Sequence, residues 1–473
     1  MRKSIIRISC FIIILALILL GLNKVFRFKY IDGIISMDTF YDQPKNTVDV
    51  LFLGSSRCFE DVNTGVLWDE YGMASYILGG PAQPLWNSYY NLKEALKTQH
   101  PKLIVLEAFL TTQEEEYSTS DPLVIKSLYG MRWNKNKIDA LKASVPKEKW
   151  IDIIIQPIQY HNRYSSLSSG DFLPYYGDNL YKDWKGYVMS THVTPMENTD
   201  VPEVSERIEL HAKTEEYYRK IIELAEESGI PIAVIISPSP DIAEEQLKRL
   251  NSASDIAKEY NVPFFNYNLN VTDIGLDYSE DATDHQHLNY RGGIKYTKYL
   301  GNDIKSMFDI PDRRGDKAYD SWQRSADYTR QLIRDDEISL HPDLETLAEV
   351  MNDPNFEIVF SIDGLCTTDT EELKPYCELF GIAVAKNGIW HIKDGKVVWY
   401  SGEGDAKYYI STPHRDVELK REYGDIDGYK LYLNSIQTNE KSYTNSPNGA
   451  NVLLIDKVTE SLIDTCVEVP LSE

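Results

Sequence analysis

The chain has 473 residues, enough for two or three domains of ordinary size, and its 42% hydrophobic content can fill real cores. Acidic residues outnumber basic ones by 73 to 49, which gives a net charge of −24. Because phosphate binding needs clustered Lys and Arg, this balance disfavours a nucleic-acid-binding surface, and we expect no nucleic-acid partner.

The first 30 residues carry a membrane-targeting pattern. An uncharged run of 15 residues, Ile8–Leu22, lies between two groups of basic residues. It is shorter than the roughly 20 residues that cross a bilayer, although Ile5, Ile6 and a snorkelling Arg7 could extend it. A cleaved signal peptide would fit this length, but no small-x-small site follows. We predict an uncleaved signal anchor over 1–30, with the rest of the chain outside the cytoplasm at the cell membrane.

A first chemical motif lies at Gly54-Ser55-Ser56. Four apolar residues before it, Val50–Leu53, suit a buried parallel strand, and the motif then turns the chain into a helix-compatible segment. Open α/β folds bind ligands at the carboxyl ends of their strands, so Ser56 is a candidate nucleophile. The alternative is that Ser55 and Ser56 only cap the next helix.

Alternating strand-like and helix-like segments predict an α/β domain over 31–312 with a doubly wound, flavodoxin-like parallel sheet. Strands are expected at Val50–Leu53, Ser75–Leu78, Leu103–Leu106, Pro231–Ile236 and Val262–Phe265. Helices are expected near 85–98, 206–227, 242–260 and 294–307. Residues 111–203 interrupt the alternation with polar, aromatic-rich sequence, which indicates a lid or substrate-binding insertion, or else a helical decoration remote from the site.

A second chemical motif precedes the last of these helices. Asp284 and His287 are three residues apart on a turn, a spacing that lets the carboxylate accept the imidazole Nδ1 proton while Nε2 faces outward. His287 could then act as a general base toward Ser56 at the same edge of the sheet. The alternatives are a metal site that adds Asp281 and His285, or a structural helix cap. We expect neither metal nor cofactor.

These motifs resemble the SGNH/GDSL hydrolase superfamily over about 46–308. The resemblance rests on Gly54-Ser55-Ser56, on Gly79-Gly80-Pro81-Ala82-Gln83 after the second strand, and on Asp284-x-x-His287-Leu-Asn. The Gly-Ser-Ser variant and the predicted anchor are most similar to the DltD-like and cell-surface acyltransferase branches. The resemblance implies Ser56 as nucleophile, His287 as base and Asp284 as its orienting partner, with acyl esters, often on carbohydrates, as substrates.

The sequence departs from that family at its oxyanion hole. The family glycine whose N–H contributes aligns with Ala82 or with Gly80, and an alanine N–H can donate there if its φ is negative. The third family block, Gly-x-Asn-Asp, is replaced after Leu106 by Glu107-Ala108-Phe109-Leu110. A side-chain donor is therefore missing or supplied from elsewhere, with Gln83 and Asn87 as candidates.

The last third of the chain is different. Residues 313–339 read as a linker and connecting helix, and 340–473 as a β-rich domain. After a helix at 343–351, strands are expected at 356–362, 389–392, 396–400, 429–433 and 450–455. The segments 356–362 and 449–467 resemble the interleukin-like EMT inducer domain, a lectin-like fold, which implies carbohydrate or partner binding.

Together these features predict an extracytoplasmic serine esterase or O-acyltransferase acting on acyl, especially acetyl, esters of cell-surface glycans. The family resemblance adds a membrane-bound acyltransferase as a candidate partner. The alternative is a non-catalytic surface protein with a degenerate SGNH-like scaffold and a carbohydrate- or partner-binding carboxyl-terminal domain.

Overall fold

The computed structural model describes residues 2–155, 159–167, 169–172, 184–198, 201–362, 373–382, 387–412, 416–426, 429–438, 441–443 and 450–467. The chain divides into two compact units, Met1–Asp327 and Tyr328–Glu473. The division falls within one helix, Asp320–Leu340. Each unit is described by itself.

Unit 1 is built on a parallel five-stranded sheet, as predicted. Its strands are β1 Val50–Gly54, β2 Ser75–Gly79, β3 Leu103–Glu107, β4 Ile232–Ile236 and β5 Phe264–Asn266. Their order is 2-1-3-4-5, and every neighbouring pair is parallel. In a sheet of this order, strands are added toward one edge from β1 to β2 and toward the other edge from β3 onward. Folds of this kind bind ligands in a crevice outside the carboxyl ends of the two strands at this switch point, here β1 and β3.

Both faces of this sheet are covered, and the burial pattern of β1 shows it. Leu51 and Leu53 pack into one apolar cluster, whereas Val50 and Phe52 pack into another on the opposite face. Because successive side chains of a strand point to opposite faces, a strand buried on both sides reads as a continuous apolar run. The run at Val50–Leu53 was interpreted in this way from the sequence.

The helices around the sheet agree with the predicted ones within a few residues, except that the helix expected from 206 begins at 212. In chain order they are α1 Arg2–Phe26, α2 Ser36–Phe40, α3 Ser56–Phe59, α4 Thr64–Tyr71, α5 Leu85–Ala95, α6 Asp121–Leu128, α7 Lys135–Ser144, α8 Trp150–Ile154, α9 Ala212–Glu227, α10 Glu244–Glu259, α11 Val271–Ile274, α12 Tyr278–Asp281, α13 Tyr290–Met307 and α14 Asp320–Leu340.

The helix α1 is long and apolar enough over Ile5–Phe26 to cross a membrane, a test that a signal sequence also passes. The segment that follows it belongs to the folded unit. Ile34, Met37 and Phe40 are almost fully buried in the sheet core, and the Arg163 guanidinium donates to the Phe26 carbonyl. Chain entering the unit is therefore fixed from the end of α1 onward.

Gly33 brings this entering segment to the sheet edge that holds the first motif. Its φ is +105°, and a Cβ there would lie 2.3 Å from the Lys126 carbonyl oxygen and 3.5 Å from the Gly79 carbonyl oxygen. Gly79 ends β2 and pairs with Gly54 of β1. Only a residue without a side chain allows so close an approach in this conformation.

The predicted insertion at 111–203 contributes α6, α7 and α8, of which α6 and α7 bury apolar residues in the same core as α5. The described part of this region therefore contributes to the hydrophobic core of unit 1. The segments at 156–158, 168, 173–183 and 199–200 of this region lie outside the described residues.

Unit 2 contains two antiparallel sheets, as the β-rich prediction requires. One has the order β13-β12-β6-β7-β8 and the other β11-β10-β9. The strands are β6 Phe356–Ile362, β7 Gly388–Lys393, β8 Lys396–Tyr400, β9 Ala406–Ser411, β10 Asp416–Ile426, β11 Tyr429–Gln437, β12 Ala450–Asp456 and β13 Leu462–Val467, with helices α15 Leu344–Met351 and α16 Lys374–Phe380. The sequence analysis missed β9 and β10, because β10 alternates apolar with charged residues over much of its length and β9 has only the short run Tyr408–Ile410.

Candidate active site

Ser56, His287 and Asp284 form a hydrogen-bonded row at the carboxyl edge of the parallel sheet. The Ser56 Oγ lies 2.7 Å from His287 Nε2. On the other side of the ring, Nδ1 lies 2.9 Å from each Asp284 carboxylate oxygen. With its proton held on Nδ1 by the carboxylate, the imidazole presents the Nε2 lone pair to the serine hydroxyl.

The Asp284 carboxylate also shapes the loop that carries the histidine. Its Oδ1 accepts the N–H groups of Gln286 at 2.7 Å and of His287 at 3.0 Å. Burial alone would raise the pKa of Asp284, but the bonds from His287 and from the Gln286 N–H hold that pKa below its ordinary value. The carboxylate is therefore ionised at neutral pH and can support an imidazolium.

The pKa of His287 is shifted in the direction that suits a base. Burial lowers it from the ordinary 6.5, the Asp284 carboxylate raises it in part, and the positive charge of Arg57 lowers it further. The neutral imidazole thus persists to a lower pH than in a free histidine. A general base must be in that neutral form before it can take the serine proton.

The turn that presents Ser56 is tightly packed. Ser56 is the first residue of α3, and Ser55 occupies the cap position without forming a side-chain capping bond. A Cβ on Gly54 would lie 2.7 Å from the Glu107 Cβ and 2.9 Å from the Cys58 Cβ. Since Ser55 makes no cap bond and Ser56 faces His287, the capping interpretation of the two serines does not describe their contacts.

Glu107, the last residue of β3, lies beneath this turn. Its Oε2 is 3.4 Å from the Ser55 Oγ, and its Oε1 accepts the Phe109 N–H at 3.2 Å. Burial raises the pKa of Glu107 to about 7, while the charge of Arg57 and the N–H groups of Phe109 and Ser237 limit that rise. This carboxyl group occupies the chain position where the resembled family carries its third motif.

Asp61 ties the nucleophile segment to the histidine loop. It is fully buried, and its Oδ1 accepts the N–H of Leu288, the residue after the histidine, at 2.9 Å. The Asn63 N–H donates to the Thr297 Oγ1 on α13 at 2.9 Å. These two bonds hold the serine and the histidine at a fixed separation.

The four predicted oxyanion donors have different surroundings. Ala82 has a φ of +44°, so the negative φ assumed for its N–H is not met. The Gln83 Nε2 donates to the Leu78 carbonyl and the Ser88 hydroxyl, which uses both of its hydrogens. A Cβ on Gly80 would lie 2.8 Å from the Ser127 Oγ.

Asn87, the last of the four, is fully buried on α5, where its Oδ1 accepts the Ser144 hydroxyl at 2.7 Å. Its Nδ2 has no hydrogen-bond partner among the described residues. The Ser56 N–H is a further candidate donor, because the first N–H groups of a helix have no acceptor within the helix.

Sequence reasoning named the triad but missed Arg57, Asp61 and Glu107. One signal was available in the sequence for Glu107, since a charged residue that directly follows the apolar run of a buried strand is costly to bury and marks a candidate site. In the part of the chain that the structure describes, no three His, Cys, Asp or Glu side chains are grouped closely enough to hold a metal ion.

No protein-family model matches the chain, and no curated protein matches it in sequence. Among solved structures, a Bacteroides fragilis protein named "putative acylhydrolase" is similar at 11% identity over 57% of this chain and 94% of its own, with a TM-score of 0.29. A gut microbial diltiazem-metabolizing enzyme is similar at 13% identity over 55% of this chain and 48% of its own, with a TM-score of 0.21. Both TM-scores are too low to carry an argument about fold or function.

Proposed function

We propose that the chain is an SGNH-type serine esterase or O-acyltransferase that works through an acyl-serine at Ser56. The observation that carries the proposal is the row Ser56 Oγ, His287 Nε2, Asp284, with separations of 2.7 and 2.9 Å. Nucleophile, base and orienting carboxylate in hydrogen-bond contact are the arrangement that acyl transfer by a serine requires.

The chemistry follows from this geometry. The Ser56 Oγ attacks the ester carbonyl while His287 Nε2 takes its proton, giving a tetrahedral oxyanion and an imidazolium beside ionised Asp284. Collapse breaks the bond to the alcohol, which leaves with the proton from Nε2. Water or a sugar hydroxyl then attacks the acyl-serine by the same steps in reverse, so that hydrolysis and transfer differ only in the second acceptor.

Acetyl and other small acyl esters on cell-surface glycans are the proposed substrates. Two features support this proposal. The motifs that resemble the SGNH superfamily occur in the family's order along the chain, and the parallel sheet has the strand order 2-1-3-4-5. An apolar helix at the amino terminus supports an anchored, extracytoplasmic enzyme of the DltD-like kind, with a membrane-bound acyltransferase as partner and the β-rich unit 2 as a lectin-like glycan-binding module.

The test uses the full chain in detergent with p-nitrophenyl acetate and a fluorophosphonate probe. We expect ester turnover and labelling of Ser56 in the wild type, and neither in Ser56→Ala. Ser55→Ala is the matched control, because it removes the neighbouring hydroxyl and should still be labelled. Absence of labelling in a folded wild type would contradict the proposal.

A second candidate function is a non-catalytic surface protein whose unit 1 is only a scaffold. It is favoured by one observation: the Gln83 amide donates to the Leu78 carbonyl and the Ser88 hydroxyl, which leaves one of the two predicted side-chain oxyanion donors without a free N–H. The same labelling experiment separates the two, since a scaffold protein would leave Ser56 unlabelled while still binding glycan.

A further inference from the structure

Arg57, the residue after the candidate nucleophile, carries a buried positive charge. Its side chain is only 2% exposed, and its Nη1 is buried with no hydrogen-bond acceptor among the described residues. Burial lowers the pKa of Arg57, and the nearby negative charges of Glu107 and Asp61 oppose that change. Unpaired guanidinium N–H groups are expensive to bury, and a native structure that keeps them has a use for them.

The position of this guanidinium is informative. Its central carbon lies 3.5 Å from the centroid of the Phe109 ring, a stacking distance. Phe109 follows β3 within Glu107-Ala108-Phe109-Leu110, the segment that lacks the expected Asn donor. The side chain of Arg57 therefore reaches from the segment after β1 to the segment after β3, the two neighbouring strands between which the strand order switches.

The backbone of Arg57 is fixed as well. Its carbonyl oxygen accepts the Ser237 hydroxyl at 3.1 Å, which joins α3 to the segment after β4. A guanidinium stacked on a ring keeps its N–H bonds in its own plane, where they can donate sideways. The cation is thus held rigidly, with donors in place before substrate arrives, as electrostatic stabilisation of a transition state requires.

We propose that Arg57 supplies the side-chain donor of the oxyanion hole, in place of the missing third-block Asn. This inference rests on the proposed function, since it assigns a donor to the oxyanion formed at Ser56. The guanidinium would donate to the developing alkoxide together with the Ser56 N–H. A full positive charge at this place would also stabilise the oxyanion more strongly than a neutral amide does.

Asn87 is the competing donor, because its Nδ2 is also buried without a partner in the described residues. Its Oδ1, however, accepts the Ser144 hydroxyl on α7, which holds this side chain toward α7. Arg57 is next to the nucleophile in the chain, and its charge acts on the base. The geometry favours Arg57.

The test compares Arg57→Met and Arg57→Lys with wild type, using p-nitrophenyl acetate and the full chain. Loss of one oxyanion donor costs about 10²–10³ in rate, so we expect Arg57→Met to lower kcat by that factor with KM within about twofold. Arg57→Lys keeps the charge and one donor, and we expect a loss of about tenfold. If Arg57→Met does not fold, Arg57→Lys decides alone, and a wild-type kcat would overturn the inference.

A pH profile separates this role from a purely structural one. In Arg57→Met the acid limb of kcat/KM should move to higher pH, since removal of a positive charge lets His287 keep its proton more easily. The matched control is Arg313→Gln at the opposite end of β1, where Arg313 pairs with buried Asp49 at 2.7 Å. That variant should lower the Tm and leave kcat and the acid limb unchanged.

Three results would overturn the inference. An unchanged kcat in folded Arg57→Met is the first, and a larger loss in Asn87→Ala than in Arg57→Met is the second. The third is a rise in KM confined to esters with a carboxylate group, which would make Arg57 a substrate-binding residue. A wild type that neither turns over ester nor reacts with fluorophosphonate would count against the proposed function instead, and so the two failures are distinguishable.

Discussion

Each unit of the chain contains a histidine bonded to a carboxylate, and the two pairs differ in what faces the second nitrogen. In unit 1, His287 bonds Asp284 through Nδ1 and the Ser56 hydroxyl through Nε2. In unit 2, His391 on β7 bonds Glu357 on β6 through Nε2 at 2.9 Å. Its Nδ1 is buried without a partner among the described residues.

The second difference is in the partners that compensate the charge of the carboxylate. Glu357 is also paired with Lys393 at 2.7 Å, and the bonds from His391 and Lys393 lower the pKa of Glu357 to about 2. The negative charge of that carboxylate is compensated within its own sheet by Lys393. Asp284 is half exposed. Among the described residues, the donors that bond its carboxylate, besides the histidine ring, are backbone N–H groups. A histidine–carboxylate pair therefore indicates catalysis only when a nucleophile faces the free nitrogen.

The largest expected effect is on ester turnover. His287→Ala should lower kcat by at least about 10⁴, because members of a catalytic triad act as a unit and loss of the base removes nearly all of their contribution. His391→Ala is the matched control, and it should leave turnover unchanged while lowering the Tm by several degrees. Loss of turnover in the His391 variant would break the comparison.

A smaller loss is expected when the orienting carboxylate is neutralised. Asp284→Asn keeps an oxygen that can accept the Gln286 and His287 N–H groups, so the loop should hold, but the charge that supports the imidazolium is gone. Since water screens this half-exposed group, we expect kcat to fall by about 10² rather than the ~10⁴ known for a buried triad aspartate. Steady-state kinetics measure it, and an unchanged kcat would remove Asp284 from the site.

The pH profile gives a third test, measured as a shift of the acid limb of kcat/KM. Activity needs neutral His287, so it is lost as pH falls through the pKa of this residue, and burial places that limb below 6.5 in the wild type. The Asp284 carboxylate raises the pKa of His287. In Asp284→Asn the limb should therefore move to still lower pH, and a move to higher pH would contradict this account.

The smallest effect concerns stability alone. The folded pKa of Glu357 lies below its ordinary 4.5, so between those values the folded chain binds fewer protons than the unfolded chain. Its contribution is present above about pH 4.5 and is lost as pH falls toward 2. Glu357→Gln should lower the Tm by a few degrees at pH 7, with the difference shrinking at pH 3, and leave turnover unchanged. A constant difference across this range would disprove the linkage.

Sequence reasoning identified the parallel sheet because most of its strands are continuous apolar runs separated by helix-like segments. It also placed Ser56 and His287 on the same edge of the sheet, since parallel strands end together. It missed β9 and β10, because neither strand contains a long continuous apolar run. The ion pair between Arg313 and Asp49 and the stacking of Arg57 on Phe109 join residues far apart in the chain, and no local pattern encodes such contacts.

The approach of Gly33 to the carbonyl oxygens of Lys126 and Gly79 limits how far the folded part of unit 1 can lie from α1. Only Arg27–Gly33 separates the end of α1 from the sheet edge, and so short a stretch spans at most about 25 Å when fully extended. The start of this stretch is held by Arg163, which donates to the Phe26 carbonyl. The stretch therefore does not act as a long flexible linker. On the proposed function, with α1 as a membrane anchor, Ser56 would be held at a set distance from the bilayer, and substrates would have to come within that distance.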